Sequence, residues 1–493
     1  MTQTHRPLTV VALLLALFLA AMEMTVVSTA MPTAVGDLGG LHLYAWAFAG
    51  YMLTATVTVP VHGKLADLHG RKPVLLAGLA LFLLGSFACG HAGSMEALVA
   101  FRAVQGLGAG AIQPIALTIV GDLFDVHERA RWQGVFAAVW GVAGLVGPLL
   151  GGAVVRYLSW RWVFYLNVPL GLACAAVLLA AYHERVERHQ HRLDVAGAAL
   201  LSITVLAALL AARSRAWGAV GVPVALAALG GFLWVERRAN EPLLPLDLFA
   251  QRVMAVASAT GALVGAAMIA MVTFVPLYAQ AVLGASPTGA GATIAPMVVG
   301  WPIASTLGGR LLPRTGFRVL IRGGLLVTAL AAAGIALLLR PGVGLSLPRA
   351  LTAAFGVGLG FANTPLVIAV QSSVPWRRRG VATASTMFFR TIGGTLSVGI
   401  LGGVLATSLL GSGVAPGVVD QVLGPERTAV APDVVRAVSA ALQGGMTRMF
   451  WVICAIAFAA FATSLAFPRL HVGALADRRG DGTGPATAGE GAA

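Results

Sequence analysis

The sequence predicts an all-α membrane protein, and three observations support that fold class. Of the 493 residues, 58% are hydrophobic and only 11% are charged, and the mean hydropathy is +0.85. A soluble domain has about 45–50% apolar and about 25% charged residues, so this composition favours a lipid environment. Long apolar runs recur along the chain, and most Lys and Arg residues fall in the gaps between them.

The apolar runs predict fourteen transmembrane helices, because a helix needs about 20 largely apolar residues to cross a bilayer. The first run is longer than a signal-peptide core and has no cleavage pattern of small residues, so we interpret it as a span. The predicted spans cover residues 9–34, 41–62, 74–92, 96–120, 132–155, 161–181, 195–213, 217–235, 253–280, 287–308, 319–339, 346–371, 381–408 and 446–467.

The basic residues predict the orientation of these spans. With the N-terminus inside, 22 of the 33 Lys and Arg residues lie in cytoplasmic segments and 9 lie in outer segments. This bias follows the positive-inside rule, so we expect a multi-pass protein of a bacterial inner membrane with both termini in the cytoplasm. The net charge of +14 does not indicate a nucleic-acid partner, because the basic residues form no helix face or aromatic platform.

A weak internal repeat predicts the domain organisation. The loop after span 2 reads GKLADLHGRK (63–72), and the loop after span 10 reads GRLLPRTGFR (309–318). Transporters built from two parallel six-span repeats have this arrangement. We therefore expect two six-helix halves with two additional helices between them. The expected divisions are 1–182 for the N-terminal half, 183–252 for the linkers and extra pair, 253–470 for the C-terminal half and 471–493 for a disordered tail.

Several kinds of chemistry lack a sequence signal. The three cysteines lie in separate apolar runs without metal-ligand spacing, and the histidines of the segment 183–191 are irregularly spaced in a charged loop. No GxxxxGK[ST] motif predicts ATP binding, and no cluster of acids or histidines at membrane depth predicts an enzyme. We therefore expect no metal and no cofactor, and a receptor would normally carry an additional soluble domain.

Five motifs occur in order in the N-terminal half. Span 1 contains MEMTVVSTAMPTA, the next loop contains GKLADLHGRK, and the run 160–169 reads WRWVFYLNVP. Span 4 carries an LxxxRxxQGxG pattern formed by Leu98, Arg102, Gln105, Gly106 and Gly108. Span 5 carries a glycine–proline motif formed by Gly134, Gly147, Pro148, Gly151 and Gly152.

Together these motifs resemble the major facilitator superfamily and, within it, the fourteen-span drug:proton antiporters of the EmrB/QacA group. The resemblance covers roughly residues 9–470. It has two departures, because Glu23 stands where the group usually has Asp, and Ala143 replaces one glycine of the span 5 motif. The resemblance implies a major facilitator fold, export by alternating access and a monomeric protein.

Glu23 and Arg102 are the candidate proton-coupling residues. Glu23 is the only acidic residue deep inside a predicted span, and a carboxylate there should be neutral or paired. A carboxyl group that binds a proton in a closed site and releases it to the cytoplasm could couple proton entry to export. Arg102 lies at a similar depth, and Gln105, one turn away, either holds it or lines the cavity. The alternatives are a structural hydrogen-bonding role for Glu23 and a fixed helix-to-helix brace for Arg102.

The loop after span 2 is the candidate cytoplasmic gate. Asp67 can cap a helix N-terminus of the other half and bond a basic side chain, which would latch the inner side. Simple topology marking is the alternative. The predicted gate residues are Gly63, Asp67, Gly70, Arg71, Lys72, Arg129 and Arg131.

The glycine–proline motif of span 5 leaves one helix face nearly bare, and in lipid such a face lets another helix approach closely. The resemblance implies that this contact seals the pathway in an antiporter, whereas ordinary packing is the alternative. Six large side chains, with Gln105, are candidates for an apolar substrate cavity, although such side chains more often face lipid or a neighbouring helix. They are Met271, Phe274, Tyr278, Trp301, Phe388 and Phe389.

Arg390 is the second basic residue within a span, and it is either a gate or a side chain that snorkels to the cytoplasm. The expected function is export of apolar or cationic organic compounds, such as drugs and antibiotics, driven by the proton gradient. Export of lipids, siderophores or an endogenous antibiotic, and uptake by symport, are the alternatives within transport. The expected partners are the small-molecule substrate, protons and the bilayer.

Overall fold

The computed structural model describes residues 4–124, 126–184, 194–211, 215–239, 242, 244–375, 378–410, 418, 421–422 and 431–470. Within these residues the regular structure is helical, with no strand. The N-terminal helices are α1 (Arg6–Leu38), α2 (Tyr44–His69), α3 (Arg71–Gly90), α4 (Met95–Leu123), α5 (Val126–Tyr157), α6 (Trp162–Tyr165) and α7 (Asn167–Ala181). The central pair is α8 (Val195–Ala211) and α9 (Arg215–Glu236). The C-terminal helices are α10 (Arg252–Ala281), α11 (Pro287–Leu338), α12 (Ser346–Ser373), α13 (Arg379–Leu410) and α14 (Pro432–Leu465).

Each predicted span overlaps one helix, two consecutive helices or one arm of a helix. The largest difference is in span 14, because α14 begins at Pro432, 14 residues before the predicted start at 446. Span 6 is formed by α6 and α7 together, and spans 10 and 11 are the two arms of α11. Eleven helices of the described residues are long and apolar enough to cross a membrane. The chain is therefore an all-helical membrane protein, and the count of fourteen spans stays a prediction.

Local sequence explains several helix boundaries. The side chains of Ser94 and Ser286 accept hydrogen bonds from backbone N–H groups three residues later, at 3.2 Å and 3.1 Å, and so cap α4 and α11. Span 6 is interrupted at Leu166. Pro169 has no N–H group to donate to the carbonyl of Tyr165, four residues earlier, and this missing bond favours the break.

The internal repeat is visible in the backbone. The two segments predicted as loops are mostly helical, and each contains a single glycine with a positive φ, Gly70 at 100° and Gly316 at 77°. Gly70 separates α2 from α3, and Gly316 bends α11 into a first arm (287–315) and a second arm (317–338). Because a side chain disfavours this backbone region, glycine is required where each helix pair turns.

The two halves meet along several helix pairs. The first arm of α11 packs on α5, α10 packs on α1, and α13 packs on α2, while α8 contacts both α2 and α13. The central pair α8–α9 therefore lies against both halves through α8. This packing agrees with an extra pair between two six-helix halves, although the exact domain divisions stay a prediction.

Candidate functional site

The structure brings Glu23 and Arg102 into direct contact inside the N-terminal half. Arg102 donates from Nη1 to Glu23 Oε1, and the same nitrogen donates to Gln105 Oε1 at 2.8 Å. Arg102 Nε donates to the carbonyl of Ala47 at 3.0 Å, and its guanidinium lies 4.2 Å from the centre of the Tyr51 ring. Three helices, α1, α2 and α4, therefore hold one buried ion pair.

Sequence reasoning did not identify two further members of this site, Asn167 and Ser86. Asn167 donates from Nδ2 to Glu23 Oε2 at 2.6 Å and to Ser86 Oγ at 2.9 Å. Ser86 in turn donates to the carbonyl of Phe164 at 2.9 Å. Asn167 is the first residue of α7, so the interruption of span 6 brings a polar side chain to the carboxylate. The signal in the sequence that could have identified Asn167 is its position as a polar residue within the apolar run of span 6.

The pair is enclosed by protein. Glu23 is 1% exposed, and Arg102, Gln105 and Asn167 are each 0% exposed. Burying either charge alone would cost several kcal/mol, so the pairing and its hydrogen bonds are what make this burial tolerable. Three polar atoms, Arg102 Nη2, Gln105 Nε2 and Asn167 Oδ1, have no hydrogen-bond partner among the described residues. The site therefore has spare hydrogen-bonding capacity when its charge state changes.

The predicted gate is described only in part. The side chains of Asp67, Arg129 and Arg131 lie outside the described residues, so the proposed latch to the other half stays a prediction. A Cβ added to Gly63 would meet no heavy atom within 4 Å, and Gly70 provides the positive φ between α2 and α3.

Glu184 holds the described part of the gate instead. The backbone N–H groups of Arg71 and Lys72 donate to its carboxylate at 2.6 Å and 2.9 Å, which caps the N-terminus of α3. Lys72 Nζ donates to the carbonyls of Leu179 and Tyr182 at 3.0 Å and 2.5 Å. These contacts tie α3 to the end of α7 within the N-terminal half.

The glycines of the span 5 motif lie in two tight helix contacts. A Cβ on Gly147 would lie 2.0 Å from Thr25 Oγ1 of α1, and one on Gly151 would lie 3.0 Å from the carbonyl of Val26. A Cβ on Gly152 would lie 2.4 Å from the Cα of Thr288 in α11. The motif therefore packs α5 against α1 of its own half and α11 of the other half.

Two other motif positions complete the description of α5. The carbonyl of Pro148 lies 2.6 Å from the position of a Cβ on Gly291 of α11, so the second helix also needs a glycine here. The surroundings of Gly134 lie outside the described residues.

The described polar contacts between the halves lie at the end predicted to face outward. Tyr44 donates to the carbonyl of Thr273 at 2.6 Å, which joins α2 to α10. Gln280 Nε2 donates to the carbonyl of Thr29 at 3.1 Å, which joins α10 to α1. Together with the α5–α11 contact, these bonds close the predicted outer side of the described structure.

The residues predicted to line a substrate cavity are packed against other parts of the protein in this structure. Met271, Phe274 and Tyr278 are fully buried in packing, and the hydroxyl of Tyr278 donates to Gln443 Oε1 at 2.7 Å. Phe388 and Phe389 pack against the cluster of Leu201, Phe232 and Leu244 beside α8 and α9. These five side chains and Gln105 contact neighbouring helices in this structure, and their role in a substrate cavity stays a prediction. Residue type alone does not reveal which face of a helix a side chain occupies.

Trp301 and Arg390 lie together in the C-terminal half. The Arg390 guanidinium is 5.6 Å from the centre of the Trp301 ring, and Arg390 lines a cavity of about 60 Å³ between α10, α12 and α13. Trp301 does not line that cavity. Among the described residues, no three His, Cys, Asp or Glu side chains are grouped as a metal site would require.

Comparisons with known proteins agree with this architecture. Residues 13–398 match the family model of the Major Facilitator Superfamily. The chain is 37% identical over 409 residues to the multidrug transporter protein MdtP of Bacillus subtilis, which covers 81% of this chain and 75% of that protein. It is 36% identical over 410 residues to multidrug resistance protein 3 of the same organism, which covers 81% of this chain and 79% of that protein.

Solved structures show the same fold. The chain superposes with a TM-score of 0.69 on a crystal structure of a bacterial homologue of the human lysosomal transporter Spinster in an inward-facing, unoccupied conformation. The match covers 95% of this chain and 98% of that chain at 17% sequence identity. The helical architecture, the family match and the multidrug relatives give one conclusion: this chain belongs to the major facilitator superfamily and is a membrane transporter, not an enzyme.

Proposed function

We propose that this transporter is a proton-coupled antiporter of the fourteen-span EmrB/QacA group, which exports apolar or cationic organic compounds from the cytoplasm. The observation that carries the proposal is the buried Glu23–Arg102 pair. The other ion pairs between described residues are partly exposed and lie at helix ends or in connecting segments. The names of the two Bacillus subtilis relatives, both multidrug proteins, support the substrate class.

In this mechanism the proton changes the partner of Arg102. Ionised Glu23 accepts hydrogen bonds from Arg102 and Asn167, and these contacts stabilise its charge. A proton on Glu23 removes that charge, so the Arg102 guanidinium loses its counter-charge. The unpartnered atoms of Arg102 and Gln105 then allow the donors to bind other acceptors.

Helix α1 connects this change to the outer closure. Glu23 precedes Thr29 by about 9 Å along the helix, at a rise of ~1.5 Å per residue. The carbonyl of Thr29 accepts the hydrogen bond from Gln280 of the other half. A shift of α1 upon proton uptake would therefore disturb a contact that closes the outer side, which is the coupling that alternating access requires.

The proposal includes the setting of the protein. It places the chain as a monomer in a bacterial inner membrane, with both termini in the cytoplasm and the proton gradient, not a cofactor, as the energy source. The excess of Lys and Arg in the predicted cytoplasmic segments supports this orientation.

Transport by inside-out membrane vesicles tests the proposal. Vesicles containing the protein should accumulate the cation ethidium when their interior is made acidic, and nigericin, which collapses the pH difference, should stop accumulation. Gly230→Ala is the control variant, because a Cβ at Gly230 meets no atom within 4 Å. Ethidium accumulation that is unaffected by nigericin would contradict proton coupling. Failure to accumulate ethidium and uncharged aromatic dyes alike would contradict the substrate class.

A further inference from the structure

Arg390 lies about a third of the way along α13, a helix of 32 residues, and has no acidic partner among the described residues. It follows the start of α13 by about 16 Å along the helix axis, which places it well inside the predicted span. Its one side-chain hydrogen bond to a described residue is long, 3.4 Å from Nη1 to Asn363 Oδ1. The guanidinium charge is therefore not balanced by a described residue of the protein.

Close packing fixes the position of Arg390. A Cβ on Gly265 of α10 would lie 1.9 Å from the carbonyl oxygen of Arg390 and 2.8 Å from its Cγ. The backbone and the base of the side chain are thus pressed against α10. The tip lies beside the Trp301 ring, at 5.6 Å, where the aromatic face offers a weak electrostatic attraction. This placement argues against a side chain that snorkels to the cytoplasm.

The cavity beside Arg390 is large enough for a small polar group and has a lining that is partly polar and mostly apolar. Its volume is about 60 Å³, several times the roughly 10–15 Å³ that one ordered water needs, so the space fits a group of a few heavy atoms. Its polar lining residues are Asn363, Thr386 and Arg390, while the remaining lining, including Leu359 and Val264, is aliphatic, small or Met. A polar corner with one positive charge is surrounded by apolar surface.

We propose that this cavity binds the carboxylate of an amphipathic organic anion, with the apolar body of the anion lying against α10 and α12. A guanidinium forms two parallel hydrogen bonds with a carboxylate, and its attraction is strong where water is excluded. The apolar lining excludes a small inorganic anion as the preferred occupant, since such an ion makes no use of that surface. The site extends the substrate class beyond apolar and cationic compounds, and its use in export rests on the proposed function.

A binding assay tests the site without relying on transport. The purified protein is placed in nanodiscs of phosphatidylcholine, and binding of decanoate is compared with binding of decanamide, which has the same chain and no charge. Wild-type protein should bind decanoate about tenfold to hundredfold more tightly than decanamide. Arg390→Gln should abolish this preference, and Arg390→Lys should keep part of it. Arg156→Gln makes the same change at an exposed position outside the cavity and should keep the full preference.

Three results would overturn the proposal. The first is equal binding of decanoate and decanamide to the wild type, which needs no variant and stands even if Arg390→Gln fails to fold. The second is an unchanged preference for decanoate in a folded Arg390→Gln protein. The third is binding of phosphatidylglycerol at this cavity without any binding of decanoate, which would assign the cavity to a bilayer lipid. Decanoate binding without proton-driven transport would contradict the proposed function and leave this site intact.

Discussion

The two halves of this transporter each contain one arginine deep within a predicted span, and the surroundings of these two arginines differ. Arg102 in the N-terminal half is fully buried, and Glu23, Gln105 and the carbonyl of Ala47 accept its hydrogen bonds. Arg390 in the C-terminal half has one long side-chain hydrogen bond within the described part of the chain and lines a cavity. The same side chain is neutralised in one half and left available in the other.

This difference suggests a division of labour between the halves. A charge that is paired inside a closed site changes its contacts when its partner binds a proton. A charge that faces a cavity and lacks a described counter-charge attracts a charged ligand instead. On this account the N-terminal half holds the proton and the C-terminal half contacts part of the substrate, while the span 5 glycines join the two.

The largest expected difference between the two arginines concerns stability. Arg102→Met should lower the free energy of unfolding by about 3–5 kcal/mol near neutral pH, because it leaves the Glu23 carboxylate buried and unpaired. Arg390→Met should not lower it comparably, because it leaves no described carboxylate without a partner. Thermal unfolding of both variants in the same detergent measures the difference.

Adding a second substitution to Arg102→Met distinguishes the effect of the unpaired charge from the effect of lost packing. The double variant Glu23→Gln with Arg102→Met should regain much of the lost stability, because no uncompensated charge remains. Equal stability losses for Arg102→Met and Arg390→Met would contradict the distinction between a paired and an unpaired arginine.

The two asparagines beside these charges should differ by a smaller amount. Asn167→Ala removes a 2.6 Å hydrogen bond to the Glu23 carboxylate and should cost about 1.5–3 kcal/mol. Asn363→Ala removes only the 3.4 Å contact to Arg390 and should cost less than about 1 kcal/mol. Chemical or thermal unfolding measures the two changes in the free energy of unfolding. A larger loss of stability for Asn363→Ala than for Asn167→Ala would contradict the claim that the Glu23–Arg102 site is the more tightly held of the two.

The contact between the halves should respond to a single methyl group. Gly152→Ala places a Cβ 2.4 Å from the Cα of Thr288, so the helices must separate, at a cost of about 1–3 kcal/mol. We expect the outer side to open more often, measured by labelling of a cysteine placed at Thr288 with an impermeant thiol reagent. Gly230→Ala is the control, and equal labelling in both variants would exclude a sealing role for this contact.

The sequence predicted the positions of charges better than the contacts of uncharged residues. Glu23 and Arg102 were identifiable because a charge inside an apolar run is costly, and their similar depth suggested that they can meet. The hydrogen bond from Asn167 to Glu23 joins residues 144 positions apart, and no spacing rule reveals such a contact.

The sequence predicted the positions of the helices and of two turns, but not which way each helix face points. Hydropathy located each helix, and the repeated glycines at positions 70 and 316 marked two equivalent turns. The sequence does not determine which aromatic residues line a cavity. Apolar residues surround each span on all sides, so periodicity does not separate the faces towards a cavity, a neighbouring helix and lipid. Phe388 and Phe389 are examples, since both pack beside α8 and α9.

Substrate-induced proton release from the purified protein tests the central claim most directly. Protein in weakly buffered detergent solution is mixed with ethidium, and a pH-sensitive dye reports released protons for the wild type, Glu23→Gln, Glu23→Asp and Asp37→Asn. Asp37 is the matched control because it is a second carboxylate on α1. It lies at the predicted outer end of that helix and accepts hydrogen bonds from Trp160 and Arg161. The account predicts proton release from the wild type and from Asp37→Asn, partial release from Glu23→Asp, and none from a folded Glu23→Gln protein that still binds ethidium. Full proton release from Glu23→Gln would contradict the claim that Glu23 carries the coupled proton.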